Sequence, residues 1–311
     1  MDGDGNLVVE DAAAVKPDVR IPDGVKIIGG SNAFIDGSFC GIYTGFKSIT
    51  IPASVEEITR YAFLDPLSDF LPIPGERKNG LPFKFIVDEK NQHFKTNASG
   101  NMLLSKDGTV LYFVTNSSDD FTIPATVTEI ADCAFIYTNI KHLNLNGIKF
   151  NNNGTGLFEN SPELETVVLK NITAEYTASM FTNCPKLRSA NLSEAGNITD
   201  AQGMFSYCTS LTEVTLPDSV TTLDCTFNGC TSLTKFTIPD STTKIYMYEL
   251  GNNRSLTVTY PKSIDDYRQI SNSNVNKHFS PDAFGGDVNV TVTCADGKKV
   301  IYTSDGTMKE E

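Results

Sequence analysis

The sequence predicts a β-rich (α/β) solenoid of about nine coils of 22–24 residues, with a β-hairpin insertion and a C-terminal cap. Three observations carry that prediction. Leu164, Leu187, Leu211, Leu233 and Leu256 lie 23, 24, 22 and 23 residues apart. Phe181, Phe205 and Phe227 keep the same period, and so do Cys184, Cys208 and Cys230. A unit of that length cannot bury its own apolar face and must stack on its neighbours, which is how solenoids are built.

One unit reads Leu211-x-x-Val214-x-Leu216-Pro217, then Val220-x-x-Leu223, then Phe227-x-x-Cys230-x-x-Leu233. Alternation at Val214 and Leu216 predicts a short strand with one buried face, and Pro217 ends it by withholding an amide. Phe, Cys and Leu three apart predict one or two tight helical turns that return the chain to the next strand.

Residues 1–20 form an acidic N-terminal segment, and the solenoid spans 21–261. A divergent first coil starts at Ile21-Pro22 with Val25, Ile28 and Phe34, followed by Ile49-x-Ile51-Pro52 with Val55, Ile58 and Phe63. Residues 64–120 interrupt the period as an insertion. In it, Leu71–Gly75 reads as a Pro-rich exposed loop, and the apolar runs on either side of Lys106-Asp107-Gly108 read as a hairpin. Phe83, Phe85, Phe94, Tyr112 and Phe113 are the local core expected for it.

The coils resume at Phe121-x-Ile123-Pro124 with Val127, Ile130 and Phe135, then at Leu143, Val167, Ala190, Val214 and Phe236, and end at Val258-x-Tyr260-Pro261. The coils of 143–192 lack the proline after the strand. In 262–311, Ser263-x-x-Asp266 predicts a capped short helix through Arg268, and Val288–Thr293 with Val300–Thr303 predict a hairpin. An open solenoid end exposes strand edges and core, so this segment is expected to cover it.

The formal charge of -13, with no dense Lys/Arg cluster, argues against nucleic acid or an anionic membrane as partner. No apolar run is long enough to span a bilayer, and Met1 opens onto acidic residues, so a secretion signal is expected to be absent or already removed. Cys184, Cys208 and Cys230 occupy one repeat slot and read as buried thiols rather than bridges. Cys133 and Cys225 share a second slot, also read as core, whereas Cys40 and Cys294 lie near opposite ends of the array. The redox compartment stays open.

Units such as "LTEVTLPDSVTTLDCTFNGCTS" (211–232), "ITIPASVEEITRYAF" (49–63) and "FTIPATVTEIADCAF" (121–135) resemble the BspA-like leucine-rich repeats. The likeness covers most of 21–261, and the insertion segment 86–112 resembles a variant segment of that family. The resemblance implies a leucine-rich-repeat solenoid in a cell-surface or secreted protein of a host-associated bacterium. Adhesion is the implied role, with a protein partner such as a host extracellular-matrix or surface protein.

Chemistry is sparse. Asp2, Asp4, Asn6 and Asp11 fit part of an EF-hand-type calcium loop whose first ligand would precede Met1. Related proteins that carry "DGDG…EAAAV" ahead of such repeats support that reading, and a frayed acidic start is the alternative. His93, His142 and His278 are dispersed, and no hydrolase, metalloprotease or phosphate-loop motif occurs, so no cofactor beyond that calcium and no enzyme are expected.

The remaining candidate is the strand face. Period-2 geometry turns Glu213, Thr215, Lys235, Thr237, Ser189, Asn191, His142 and Asn144 outward, with Ser48/Thr50 and Thr166/Val168 as equivalents. This face is small and polar and holds no aromatic, which argues against a sugar-stacking platform there. Tyr246 and Tyr248 are the aromatic contact candidates outside the core slots. The alternative to a binding module is a structural spacer or display scaffold with no ligand of its own.

Overall fold

The computed structural model describes residues 18–28, 47–58, 83–115, 121–131, 134–135, 138–150, 156–174, 177–245, 255–272, 289–303 and 308–311. The chain divides into two compact units, Met1–Asn139 and Ile140–Glu311. Strands dominate both, and the described residues contain a single α-helix.

In the first unit, β1 (Asp18–Arg20), β3 (Ser48–Ile51) and β5 (Lys84–Val87) form a parallel sheet, pairing Val19 with Ile49 and Ile49 with Phe85. The second strands of the first two coils, β2 (Ile27–Ile28) and β4 (Glu57–Ile58), form their own parallel pair. Ile21, Ile28, Ile49, Ile51 and Val55 are buried, as the apolar pattern requires.

β6 (Phe94–Thr96), β7 (Met102–Ser105) and β8 (Val110–Val114) follow as an antiparallel meander, so the hairpin around Lys106-Asp107-Gly108 gains a third strand. Its turn is set by Asp107, which accepts hydrogen bonds from the Ser105 hydroxyl and the Thr109 amide and hydroxyl. Those bonds, Ser105 first, hold the Asp107 carboxyl down to about 2. Gly108 supplies the positive φ of 86° that completes the turn.

Of the expected local core, Phe83, Phe85, Phe94 and Phe113 are buried and Tyr112 is half-buried, with edge contacts from Phe85 to Phe83 and Phe113 and from Phe94 to Tyr112. Asn91 joins this segment to the preceding coil. Its buried amide donates to the carbonyls of Pro52 and Val55, both at 2.9 Å, while its oxygen accepts from the backbone N–H groups of His93 and Phe94.

β9 (Glu129–Ile130) pairs parallel with β8. Contrary to expectation, Phe121–Pro124 is not a strand, and Ile123 is half-buried. The parallel continuation after β8 passes through β9, the second strand of that coil.

The second unit is built on a parallel sheet of β10 (His142–Asn146), β12 (Thr166–Ile172), β13 (Ser189–Gly196) and β14 (Glu213–Thr215). Strand length follows the prolines. β14 and β16 (Lys235–Thr237) stop after three residues, one residue before Leu216-Pro217 and Ile238-Pro239. β12 and β13, without that proline, run on for 7 and 8 residues. β11 (Lys149–Phe150) bridges to Thr173, and β15 (Thr222–Leu223) pairs with β17 (Lys244–Ile245).

Inside, Phe158, Phe181, Phe205 and Phe227 stack in one row, with centroids 5.3, 5.4 and 5.9 Å apart and rings within 10° of parallel. Leu164, Leu187, Leu211, Leu233 and Leu256 are all buried beside them. Cys184, Cys208 and Cys230 are free, fully buried thiols, each donating to the carbonyl of a Phe one coil earlier. Cys225 departs from the expected core slot. It is half-buried, and its φ of 51° turns it off the core ladder. Cys40 and Cys133 lie outside the described residues.

The return turns are not helical, which corrects the expectation drawn from the three-residue spacing. Gly156, Ser179, Gly203 and Cys225 have φ near +51 to +62°, and so, four residues on, do Asn160, Asn183, Tyr207 and Gly229, with φ from 55 to 75°. With left-handed residues at both ends of each five-residue turn, every second N–H points out of the coil. Thus Ser179, Phe181 and Asn183 donate to the carbonyls of Gln202, Met204 and Ser206, and Gly203, Phe205 and Tyr207 donate to Asp224, Thr226 and Asn228. A helical turn would have spent those donors within its own coil.

After the last proline-terminated strand, β18 (Ser255–Tyr260), the helix α1 runs Ile264–Asn272, a turn beyond Arg268. Ser263 caps it reciprocally: its hydroxyl accepts the Asp266 N–H, and the Asp266 carboxylate accepts the Ser263 N–H. The Ser263 hydroxyl bond holds the Asp266 carboxyl below its usual range.

β19 (Asn289–Cys294) and β20 (Lys299–Tyr302) form the expected hairpin, with β21 (Met308–Glu310) added at its edge. β19 lies parallel to β18 over six paired residues, so it continues the ladder of first strands by one more step. Ile264, Tyr267, Ile270, Val290, Val292 and Tyr302 are its buried side chains, and the Tyr267 and Tyr302 hydroxyls bond at 3.2 Å. Arg268 ties Asp265 on the same helix to Glu310 on β21.

Candidate binding face

Alternation along the parallel strands of the second unit sends one set of side chains to the core and the other to the surface. In β10 Leu143 and Leu145 are buried while His142, Asn144 and Asn146 are exposed. The sheet register then aligns outward residues across strands. His142 lies opposite Thr166, Thr166 opposite Ser189, and Ser189 opposite Glu213. A second row runs Asn144, Val168, Asn191, Thr215. Lys235 and Thr237 align with Thr257 and Thr259, which align in turn with Thr291 and Thr293.

Glu213, Thr215, Lys235, Thr237, His142, Asn144 and Asn191 are exposed, and Ser189 is half-buried. The structure therefore gathers His142, Asn144, Ser189, Asn191, Glu213 and Thr215 into two rows on one sheet, while Lys235 and Thr237 lie on the neighbouring sheet that starts with β16. Thr166, Ser189, Asn144, Asn191 and Thr215 bring neutral hydroxyls and amides to this face, Glu213 and Lys235 bring charge and Val168 is apolar, and His142 Nδ1 bonds Thr166 Oγ1 at 2.9 Å. Ser48, the equivalent position in the first unit, is instead buried, its hydroxyl donating to Asp18. Tyr246, Tyr248, Asp2, Asp4, Asn6 and Asp11 lie outside the described residues, as does His278.

Much of the Ser and Thr content has a structural task. Thr212, Thr221, Thr231 and Thr243 each donate to the carbonyl of a residue about 22–24 positions earlier, knitting one coil to the last. Charged pairs do the same on the surface: Lys186 with Glu163, and Lys170 with Glu194, both at 2.7 Å. Such exposed pairs contribute about 0–1 kcal/mol each.

Four exposed large apolar side chains among the described residues escaped the sequence reading: Ile27, Ile86, Tyr207 and Met308. Ile86, 50% exposed, sits on the strand face of the first unit opposite Thr50. Tyr207, 53% exposed, projects from a return turn of the second. Nothing but its left-handed backbone singles it out, and a sequence does not display φ. Among the described residues no group of His, Cys, Asp and Glu is placed to hold a metal, and no helix is long and apolar enough to cross a membrane.

Three solved structures are similar to this chain. The pneumococcal vaccine antigen PcpA is 16% identical, with a TM-score of 0.51 over 74% of this chain and 54% of its own. A leucine-rich repeat protein from Eubacterium ventriosum is 20% identical, with a TM-score of 0.48 over 73% of this chain and 62% of its own. A leucine rich cell surface protein from Faecalibacterium prausnitzii is 23% identical, with a TM-score of 0.48 over 81% of this chain and 62% of its own. This chain thus spans less than two thirds of the length of each. No curated protein matches it in sequence. The model of the BspA type leucine rich repeat region matches in six copies, over residues 17–68, 111–226 and 201–278. Joined to the coil geometry above, that match over more than half of the sequence places the chain in the BspA-type leucine-rich-repeat family.

Proposed function

We propose that the chain is a non-catalytic, cell-surface or secreted protein-binding module that serves adhesion, with the strand face of its second unit as the contact surface. The observation that carries this reading is the register of that face, where outward side chains from four parallel strands stand in two straight rows over a packed core. A rigid ladder of this kind holds donors and acceptors without further ordering cost on binding, which favours affinity. The family and the fold shared with a vaccine antigen support a surface location. A host extracellular-matrix protein is the partner class we assign.

In the same reading, about nine coils make up residues 21–261, and 262–311 close the array, for which the apolar underside of α1 and β19 is the support. Calcium at Asp2, Asp4, Asn6 and Asp11 belongs to the proposal as well, and isothermal titration of the chain with calcium tests it.

The test of function is surface plasmon resonance against immobilised fibronectin, laminin and collagen, with the chain and with an Asn191→Lys/Thr215→Lys variant. Saturable binding that weakens at least ten-fold in the variant is expected. Binding that ignores both substitutions removes the strand face, and no saturable binding leaves a display scaffold.

A further inference from the structure

Tyr207 occupies a backbone position that its chemistry does not favour. The same column of the return turns holds Asn160, Asn183 and Gly229, the residue types that tolerate left-handed φ, whereas Tyr207 sits there at φ 61°. Its backbone is held in place by its N–H, bonded to the Asn228 carbonyl at 2.6 Å, and by its carbonyl, which accepts from Thr209. The ring lies against Gly229, where an added Cβ would come within 2.8 Å of Tyr207 Cδ1. Glycine in the next coil thus leaves the room into which the tyrosine reclines, and the ring remains 53% exposed. Strain held at an exposed aromatic, with the neighbouring coil shaped to seat it, is the pattern of a contact residue.

The surroundings indicate the class of ligand. One coil before, Asn183 donates its side-chain amide to Asn160 at 2.6 Å, and each amide keeps further donor and acceptor capacity. The column carries no charge. A protein hot spot is set in a desolvated apolar cluster, yet among the described residues of this unit the only other exposed large apolar side chain is Met308, on β21. An isolated aromatic ring in one column with neutral amides one and two coils before it suits a sugar, which offers a C–H face to the ring and hydroxyls to the amides. The coil step, seen in the Phe row at 5.3–5.9 Å, is about the length of one pyranose ring.

We propose that Tyr207, with Asn183 and Asn160, forms a subsite for a neutral glycan on the return-turn side of the second unit. This is separate from the strand face and does not depend on it. The test is an array of neutral hexose and N-acetylhexosamine oligosaccharides probed with the chain, Tyr207→Phe and Tyr207→Asn, with saturation-transfer NMR on the positives and thermal melts on all three. Tyr207→Asn removes the ring and suits the left-handed position, so it is expected to melt no lower than the parent while binding at least ten-fold more weakly. Tyr207→Phe is expected to bind within about three-fold of the parent.

Absence of neutral-glycan binding at millimolar concentration overturns the proposal, as does binding indifferent to Tyr207→Asn. A variant that instead loses binding only to a matrix protein makes Tyr207 a protein anchor and overturns the glycan assignment. A clearly lowered melt of Tyr207→Asn overturns the strain on which the argument stands.

Discussion

The Cys208 thiol donates to the carbonyl oxygen of Phe181, one coil earlier, at 3.1 Å. Cys184 does the same to Phe158, and Cys230 to Phe205. The slot therefore wants a small apolar side chain with a weak donor, which accounts for cysteine where alanine or serine would answer only half the requirement. Cys208→Ala is expected to cost about 1–2 kcal/mol in urea denaturation, the scale of a small core deletion. In the native chain, peptide-resolved alkylation should modify Cys225 well before Cys184, Cys208 or Cys230; equal rates would mean that the thiol ladder is open to solvent.

Burial, reinforced by neighbouring Cys208, pushes the Cys184 thiol well above its ordinary value, and burial beside Tyr302 does the same to the Tyr267 phenol. Each folded group holds its proton more tightly than the unfolded chain does. Their contribution is thus intact below the unfolded values, about 8.5 for Cys and about 10 for Tyr, and declines as pH rises beyond them. Urea midpoints should fall from pH 8 to pH 10.5, and Cys184→Ala should flatten the first part of that fall. A midpoint that holds steady to pH 10.5 contradicts the burial.

Phe205 has ring neighbours on both sides in the row, Phe181 and Phe227. Phe205→Ala is expected to destabilise by about 3–5 kcal/mol, since rigid coils cannot collapse into the void. A loss under about 1 kcal/mol would show that the row does not carry the core.

The row, the leucines and the proline-terminated strands were legible because each depends on residue type at a fixed period. Aromatic volume is needed at Phe181, Phe205 and Phe227, and a missing amide is needed at Pro217 and Pro239. The return turns were not legible. Their left-handed positions are filled by Gly156, Ser179, Gly203 and Cys225, four positions with little chemistry in common, because the inter-coil hydrogen bonds impose the conformation and side chains merely tolerate it. The same blindness put Cys225 in the core and passed over Tyr207. On the strand face, the rows followed from alternation, whereas a ligand leaves no periodic mark.

That imposed conformation is measurable at Ser179, which sits at φ 56° without the freedom of glycine. Ser179→Gly is expected to raise stability by up to about 1 kcal/mol and Ser179→Val to lower it by more than that. Thermal melts of the pair decide, and a neutral or stabilising valine would refute the left-handed assignment.

Asn91 satisfies four backbone groups at once from a fully buried position. Asn91→Leu keeps the volume and removes all four of these bonds, the Pro52 carbonyl keeping another partner in the Val55 N–H, so a loss of about 3 kcal/mol or more is expected. Asn91→Asp should be no better, because a carboxylate would face the Pro52 and Val55 carbonyls. A mild effect of either substitution in urea titration would mean that the segment is seated by its aromatic core alone.

In the return turns of the second unit, the backbone N–H groups of Ser179, Phe181, Asn183, Gly203, Phe205 and Tyr207 belong to the earlier coil and their acceptor carbonyls to the later one, while the cysteine thiols donate the other way. At these turns the backbone accordingly has a sense, like a row of arrows, with amide hydrogens turned to the later coil and carbonyl oxygens to the earlier one. Whole coils can be copied in tandem without disturbing their neighbours, because every copy presents the same socket and the same plug. A coil entered backwards, or half a coil, would set donor against donor, which explains why the period drifts only between 22 and 24 residues where the chain could otherwise have varied freely.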